Sequence, residues 1–219
     1  MDWATQIDNY CERVDFSFWS EPVNAATNVA FLIAALMAWR VVRDRDDWGV
    51  RALIVILAAI GIGSFLFHTF ATRWSSVADV FPIMAFILLN IWLATVRMLG
   101  TPVWGGFLAL ALFFPFYAAV TFIVVTLTGG LNGSEGYVPS VLIMAGYGLW
   151  LKPDKPEAGR GLLTAAGLLA VSLVARTADQ SMCSAMPIGS HWVWHVVNAI
   201  VMYWLIVVLY RHDRHYPID

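Results

Sequence analysis

The chain has 219 residues, of which 60% are hydrophobic and only 13% carry a charge. Because soluble domains carry about 25% charged residues, this composition excludes an ordinary soluble domain and indicates a polytopic integral membrane protein. The formal net charge of −2 excludes the strongly basic surface with which proteins collect nucleic-acid phosphates.

The first 21 residues form a polar, acidic segment that precedes the first apolar run. This segment lacks the basic start and short apolar run of a cleaved signal peptide, so we expect the mature chain to begin at Met1. The first apolar run would then serve as an uncleaved anchor. Because no linker, low-complexity stretch or internal repeat divides the chain, the sequence predicts one domain over residues 1–219.

Seven apolar stretches are candidates for transmembrane helices, since about 20 helical residues are needed to cross a hydrocarbon layer of about 30 Å. They cover residues 22–42, 50–70, 78–98, 103–127, 137–151, 160–179 and 189–210. The fourth stretch contains Pro115, at which a helix can kink, and the fifth is short. The predicted fold is therefore an all-α bundle of seven transmembrane helices with a polar tail over residues 211–219.

The basic residues predict the orientation of this bundle. Ten of the 13 fall at one end of the predicted helices: Arg40, Arg43, Arg45, Arg51, Arg97, Lys152, Lys155, Arg160, Arg211 and Arg214. By the positive-inside rule this end is cytoplasmic, which puts the N-terminus outside and the C-terminus in the cytoplasm. The short loops and the absence of evident organelle signals favour a bacterial cytoplasmic membrane, with the outer end facing the periplasm. A eukaryotic intracellular membrane is the alternative.

Apart from the arginines at the basic ends of the predicted spans, six ionisable residues lie within them, where insertion of each costs about 2.5 to 3.5 kcal/mol and therefore points to a function. They are His68, Asp79, Arg176, Asp179, His191 and His195. The alternating direction of the helices brings all six to the outer half of the bundle, and we expect nothing comparable in the inner half. Arg176 and Asp179 stand about one helical turn apart, which predicts a local ion pair with a structural role.

The histidine spacing predicts a metal site. His191 and His195 lie four residues apart, so their imidazoles share one face of a helix and can bind one metal ion. His68 can add a third nitrogen, and three protein ligands with an open fourth position are typical of catalytic zinc. Ser64 shares the helix face of His68 and can donate a hydrogen bond at the metal. Asp79 can orient a ligand or accept a proton from the attacking water.

Other interpretations of the same residues are open at this point. A histidine pair beside Trp192 and Trp194 also fits an aromatic belt at the membrane surface. A receptor-like or lipid-binding protein that keeps zinc for structure would carry the same ligands without turnover. A transporter is disfavoured, because its polar groups would be expected near the middle of the membrane.

Six short segments carry a further pattern across nearly the whole chain. They are residues 10–12 (YCE), 21–28 (EPVNAATN), 63–69 (GSFLFHT), 79–84 (DVFPIM), 176–179 (RTAD) with Cys183, and 189–195 (GSHWVWH). Each piece alone is weak, but Ser-x3-His, an Asp eleven residues later and a C-terminal His-x3-His are specific in combination. In these segments the chain resembles the alkaline ceramidase family. That family belongs to a wider group of seven-helix membrane hydrolases that includes the adiponectin-receptor-like proteins.

The resemblance implies a zinc amidase that cleaves the N-acyl bond of ceramide, or of a related long-chain lipid amide, to a sphingoid base and a free fatty acid. By position, His68, His191 and His195 would bind zinc, Ser64 would help to polarise the scissile carbonyl, and Asp79 would handle the proton of the attacking water. The expected partners are the bilayer and a membrane lipid substrate that enters laterally between helices. No nucleic acid and no obligate protein partner are expected.

The resemblance also implies a calcium ion near the N-terminus. The candidate ligands carry the oxygen atoms that calcium prefers and are Asp8, Glu12, Asp15, Glu21 and Asn24. The segment departs from the family pattern, because Asn9 and Tyr10 stand where Asp-Trp is expected and the interval between Glu12 and Glu21 is shorter. A solvated acidic segment without calcium is the alternative.

The chain has two cysteines, Cys11 and Cys183. Both fall on the predicted outer side, where an oxidising compartment permits a disulfide. As the only pair available, they would fasten the N-terminal segment over the metal site. Two unpaired thiols are the alternative, because disulfide geometry is restrictive.

Overall fold

A computed structural model of the chain describes residues 2–44 and 46–215. Met1, Arg45 and residues 216–219, which include part of the predicted tail, lie outside the described residues. Within the described ranges the fold is helical and contains no β-strand, apart from one isolated bridge between Gln6 and Thr72.

The described residues form eight α-helices. They are α1 (Pro22–Thr27), α2 (Val29–Val42), α3 (Trp48–Phe70), α4 (Arg73–Leu93), α5 (Val103–Thr128), α6 (Val138–Leu151), α7 (Pro156–Met182) and α8 (His191–His215). A π-helical turn over Ala94–Met98 extends α4, and a 3-10 turn over Glu135–Tyr137 precedes α6. Only Asn28 separates α1 from α2, so the two form one apolar unit.

Six helical segments of the described chain are long and apolar enough to cross a membrane. They correspond to six of the seven predicted stretches, which confirms the character of an integral membrane protein. The fifth predicted stretch forms α6, whose 14 residues span about 21 Å and are shorter than the hydrocarbon layer. The seventh span and the orientation stay predictions. Helix α5 is continuous through Pro115.

Helices α3 and α4 are joined by a two-residue turn. Helix α3 ends at Phe70 and is capped by Ala71, which adopts the left-handed conformation with φ 46°, and a capping box between Thr72 and Ser75 starts α4. The two helices touch at Gly63, where a Cβ atom would lie 2.0 Å from the carbonyl oxygen of Ala78. Only a glycine permits this approach, which brings the residues that follow, Ser64 and Asp79, close to each other.

Helix α8 lies at the centre of the bundle and packs against α2, α3 and α7. Its side chains Leu205, Ile206 and Leu209 are fully or almost fully buried. Helix α5 lies at the periphery, and most of its apolar side chains are exposed. This is the arrangement expected of a helix that faces lipid acyl chains.

The end of the bundle at which α3 begins and α8 ends, called here the basic end, contains a buried ion network. Arg97 Nη1 lies 2.7 Å from Asp47 Oδ2 and 2.9 Å from Asp213 Oδ2. Asp213 also contacts His212, with 3.1 Å between its Oδ1 and His212 Nδ1. Sequence reasoning did not identify this network, because Asp47, His212 and Asp213 lie outside the predicted spans. Helix α8 extends to His215, well beyond the predicted boundary at residue 210.

Candidate metal centre

Helices α3 and α8 bring three histidines to one point. His68 lies in the last turns of α3, while His191 and His195 lie in the first two turns of α8, and all three are at most 2% exposed. One ligand atom of each lies within 4.8 Å of the corresponding atoms of the other two. In residues 2–44 and 46–215, no other group of three or more His, Cys, Asp or Glu side chains converges in this way. Three imidazoles are a donor set that suits zinc.

Glu21 orients the imidazole of His68. Its Oε2 atom lies 2.5 Å from His68 Nδ1. A carboxylate can only accept, so Nδ1 carries a hydrogen, and Nε2 is the nitrogen left to bind a metal ion. His68 Nε2 is buried and has no hydrogen-bond partner among the described residues. Metal-binding histidines are held in this way, by a carboxylate on the nitrogen opposite the metal.

Thr27 orients the imidazole of His195. The Thr27 hydroxyl donates to the carbonyl oxygen of Val23 at 2.8 Å, and its Oγ1 lies 2.9 Å from His195 Nδ1. With the hydroxyl hydrogen directed at Val23, Oγ1 accepts from Nδ1, and Nε2 is the nitrogen left to bind a metal ion. His195 Nε2 is also buried without a partner in the described part of the chain. Two of the three imidazoles therefore have an outer partner on Nδ1 and a buried Nε2 without a partner among the described residues.

Asp179 fixes the start of α8 and with it His191. Its Oδ1 accepts from the backbone N–H groups of Ser190 at 2.7 Å and His191 at 2.9 Å, and its Oδ2 accepts from the N–H of Cys11 at 3.0 Å. Gly189 makes this approach possible, because it has φ 62° and a Cβ there would lie 2.1 Å from Asp179 Oδ1. Asp179 therefore acts as the cap of α8.

Arg176 faces away from Asp179. Its Nη1 donates to the carbonyl oxygen of Asn132 at 2.8 Å and to Ser134 Oγ at 3.1 Å, and its guanidinium lies 5.6 Å from the centre of the Tyr137 ring. No ion pair joins these two described residues, so the predicted Arg176–Asp179 pair is wrong. The physical reason is that Asp179 is directed at three backbone amides, whereas Arg176 is directed at the loop between α5 and α6.

Ser64 and Asp79 lie beside each other at the metal centre. Both are buried, and Asp79 interacts electrostatically with Ser64 and with His68. Neither Ser64 Oγ nor Asp79 Oδ1 completes a hydrogen bond within the described ranges. A buried hydroxyl and a buried carboxylate oxygen close to His68 can contact the polar atoms of a bound substrate.

The N-terminal segment, residues 2–21, covers the histidines. It runs along the turn between α3 and α4, where Ile7 N–H donates to the carbonyl oxygen of Ala71 at 2.7 Å. A disulfide then joins Cys11 to Cys183 after α7. Between these attachments the Tyr10 ring stacks on His191 with 3.7 Å between ring centres, and burial raises the pKa of Tyr10 to about 12.

Sequence reasoning did not identify Tyr10 or Thr27 as neighbours of the metal centre. Thr27 falls in a quoted segment but carries no spacing signal that links it to His195. Glu21 is one of the predicted calcium ligands, and its Oε2 contacts His68 Nδ1. Burial alone would raise the pKa of Glu21, but the hydrogen bond and charge of His68 and the charge of Arg13 outweigh it and lower the pKa.

Of the predicted calcium ligands, two carboxylates accept hydrogen bonds or ion pairs, two are exposed, and the buried Asn24 Oδ1 has no partner among the described residues. Both carboxylate oxygens of Glu12 accept backbone N–H groups in the first turn of α1, at 2.7 and 2.8 Å, and those of Glu21 face Arg13, His68 and Asn24. Asp8 and Asp15 are exposed. Glu12, Glu21 and Asn24 therefore lie together, but among the described residues no three carboxylates form a cluster that could hold a metal ion, and calcium binding stays a prediction.

No model of a known protein family matches the chain, and no curated protein matches it in sequence. The resemblance to alkaline ceramidases therefore stays a prediction that depends on the short segments quoted above. What the chain can do must be argued from its own site geometry.

Proposed function

We propose that this chain is an integral membrane, zinc-dependent amidase that hydrolyses the N-acyl bond of ceramide or of a related long-chain lipid amide. The observation that carries the proposal is the convergence of His68, His191 and His195 beside Ser64 and Asp79. A lone histidine pair in an aromatic belt would not need a third imidazole from another helix. It would also not need Glu21 and Thr27 as partners of the Nδ1 atoms. The resemblance described above supports the choice of an amide as the substrate.

Each residue of the site has a separate role in the proposed reaction. His68, His191 and His195 would hold zinc, which when bound polarises the amide carbonyl and lowers the pKa of the attacking water toward about 7. The Ser64 hydroxyl donates a hydrogen bond to the carbonyl oxygen as negative charge develops there. Asp79 accepts the proton of the attacking water and returns it to the leaving amine. The products are a fatty acid and the free amine.

The surroundings of the centre suit a lipid substrate. An apolar cavity of about 60 Å³ lies between α4, α6, α7 and α8, and its lining includes Ile83, Trp194, Asn198 and Leu205. Ile83 follows Asp79 by one turn of α4, and Asn198 follows His195 by about one turn of α8. The cavity therefore lies about one helical turn from the three histidines on the side of the basic end, and its apolar lining would suit the first part of a hydrocarbon chain.

The proposal includes seven spans, with α6 as the short one, and an orientation that puts the basic end in the cytoplasm. The concentration of arginine and lysine at that end supports this orientation. The disulfide between Cys11 and Cys183 lies at the other end and suits an oxidising compartment. We propose a bacterial cytoplasmic membrane with the metal centre toward the periplasm.

The test combines a metal measurement with a product measurement. Purified protein should contain about one zinc per chain by mass spectrometry and release fatty acid from N-acyl sphingoid lipids. A chelator should abolish the release, and added zinc should restore it. His195→Ala should lose metal and activity, whereas Asp79→Asn should keep metal and lose turnover. A wild type that binds zinc and lipid yet releases no product would identify a binding protein instead.

A further inference from the structure

The N-terminal segment contains a buried arginine that no part of the proposed reaction uses. Arg13 is 6% exposed, and each nitrogen of its guanidinium donates a hydrogen bond. Nε donates to Glu21 Oε1 at 2.5 Å, Nη1 to the carbonyl oxygen of Asp15 at 3.0 Å, and Nη2 to the carbonyl oxygen of His68 at 3.0 Å. A buried charge persists only where such partners offset its loss of water.

The contact with His68 lies at the end of α3. Carbonyl groups in the last turn of a helix lack partners within the helix and carry the negative end of its dipole. The guanidinium of Arg13 satisfies one of them. On its other side it binds Glu21, whose second oxygen lies 2.5 Å from His68 Nδ1. Arg13 and Glu21 therefore hold both the backbone and the imidazole of His68.

The same contacts occupy the place that a divalent cation would need. Calcium takes six to eight oxygen ligands, usually with several carboxylates among them. The most buried carboxylate of this segment, Glu21, already faces a guanidinium, and both oxygens of Glu12 cap α1. A fixed positive charge at 2.5 Å from Glu21 repels a second cation from the same group.

We propose that Arg13 is the resident cation of this segment: it takes the place of the calcium ion that the resemblance implies, and it positions His68 through Glu21. The replacement of calcium by a guanidinium stands on the contacts alone. The effect on zinc rests on the proposed function, because it requires His68 to be a zinc ligand. Arg13 is thus a positioning residue and does not touch the substrate.

The first experiment measures calcium dependence in the wild type. Detergent-purified protein is heated in calcium-depleted buffer and with a calcium series, all at one fixed zinc concentration, and its unfolding temperature is recorded. We expect the same unfolding temperature throughout. A saturable rise with calcium would overturn the proposal, and this result does not depend on zinc or on activity.

The second experiment compares Arg13→Met with Arg51→Met. Arg51 pairs with exposed Asp46 at the basic end and serves as the matched control. Loss of the buried partner of Glu21 should lower the unfolding temperature by about 6 to 20 °C, whereas the control should stay close to wild type. Arg13→Met should also weaken zinc binding about 10- to 100-fold in chelator competition, as expected for the loss of an outer partner of a ligand.

A double-mutant cycle separates the route through Glu21 from a general loss of stability. In a Glu21→Gln background, Arg13→Met should weaken zinc binding much less than it does in the wild type. An equal loss in both backgrounds would overturn the positioning role. If the wild type binds zinc and Arg13→Met keeps full affinity and stability, the inference about Arg13 fails while the proposed function stands. If the wild type binds no zinc, the proposed function fails and the calcium experiment still decides the role of Arg13.

Discussion

Substitution of Gly63 by alanine should separate metal binding from turnover. The added Cβ would lie 2.0 Å from the carbonyl oxygen of Ala78, whereas real Cβ atoms do not approach below 3.0 Å. Helices α3 and α4 must therefore separate by at least about 1 Å. To reach ordinary contact at 3.4 Å they must separate by about 1.4 Å. Overpacking of this kind costs about 1 to 3 kcal/mol.

The consequence for the site follows from which helix carries which residue. The three histidines belong to α3 and α8, while Asp79 belongs to α4. A displacement of α4 therefore moves Asp79 away from Ser64 and leaves the imidazoles together. Because a misplacement of about 1 Å can cost about 100-fold in rate, we expect Gly63→Ala to bind zinc normally and to hydrolyse lipid amides about 100-fold more slowly.

The assay measures zinc content and fatty-acid release on the same preparation. Gly167→Ala in α7 is the matched control, because a Cβ at that position meets nothing within 4 Å and alanine favours a helix. The control should keep both properties and unfold no earlier than the wild type. Full turnover in Gly63→Ala, or an equal loss in the control, would refute the argument that the approach of α3 to α4 sets the position of Asp79.

Three further substitutions test other contacts. Thr27→Val keeps the side-chain shape but removes the acceptor of an imidazole, so zinc affinity should fall about 10-fold in chelator competition; an unchanged affinity would show that the hydroxyl is not needed. Replacement of Cys11 and Cys183 by serine opens a loop of 172 residues, which should destabilise the protein by up to about 5 kcal/mol and speed proteolysis of the N-terminal segment. Asp47→Ala removes a helix cap and a partner of Arg97, at a cost between about 1 kcal/mol for a cap and about 3 to 5 kcal/mol for a broken buried pair. Burial alone would raise the pKa of Asp47, but the hydrogen bond from Arg97 outweighs burial, so the pKa is lowered in the folded protein. The difference in unfolding temperature between Asp47→Ala and the wild type should therefore be complete above about pH 4. It should shrink as the pH falls through the lowered pKa.

Much of the helical architecture could be predicted from the sequence because long apolar runs have few alternatives in a membrane. The stretch 103–127 became α5 (Val103–Thr128), and the stretch 22–42 became α1 and α2 with the predicted outer limits. The end of α8 could not be predicted in this way. Polar residues such as Asp213 normally mark the end of a span, and only the ion network with Arg97 explains why this one is buried.

The candidate metal centre was predictable where its residues share a helix. His191 and His195 stand one turn apart, and Ser64 precedes His68 by the same interval, so helical periodicity alone brings each pair to one face. The partners of the imidazoles could not be found by this route. Glu21 and Thr27 come from a different part of the chain, and their contacts depend on how α1 packs against α3 and α8. The Arg176–Asp179 prediction failed for a related reason, since spacing cannot tell which way two polar side chains turn.

Asp179 is a residue at which mutational mapping could be misleading. One carboxylate receives backbone amides from two distant stretches of sequence, and it stands next to the disulfide and to a metal-facing histidine. Its removal would loosen the covering segment and the leading turn of the last helix together. An activity screen would then score Asp179 as severely as any group that touches the substrate. Only measurements of folding and metal content on the same variant would separate a scaffold defect from a chemical one.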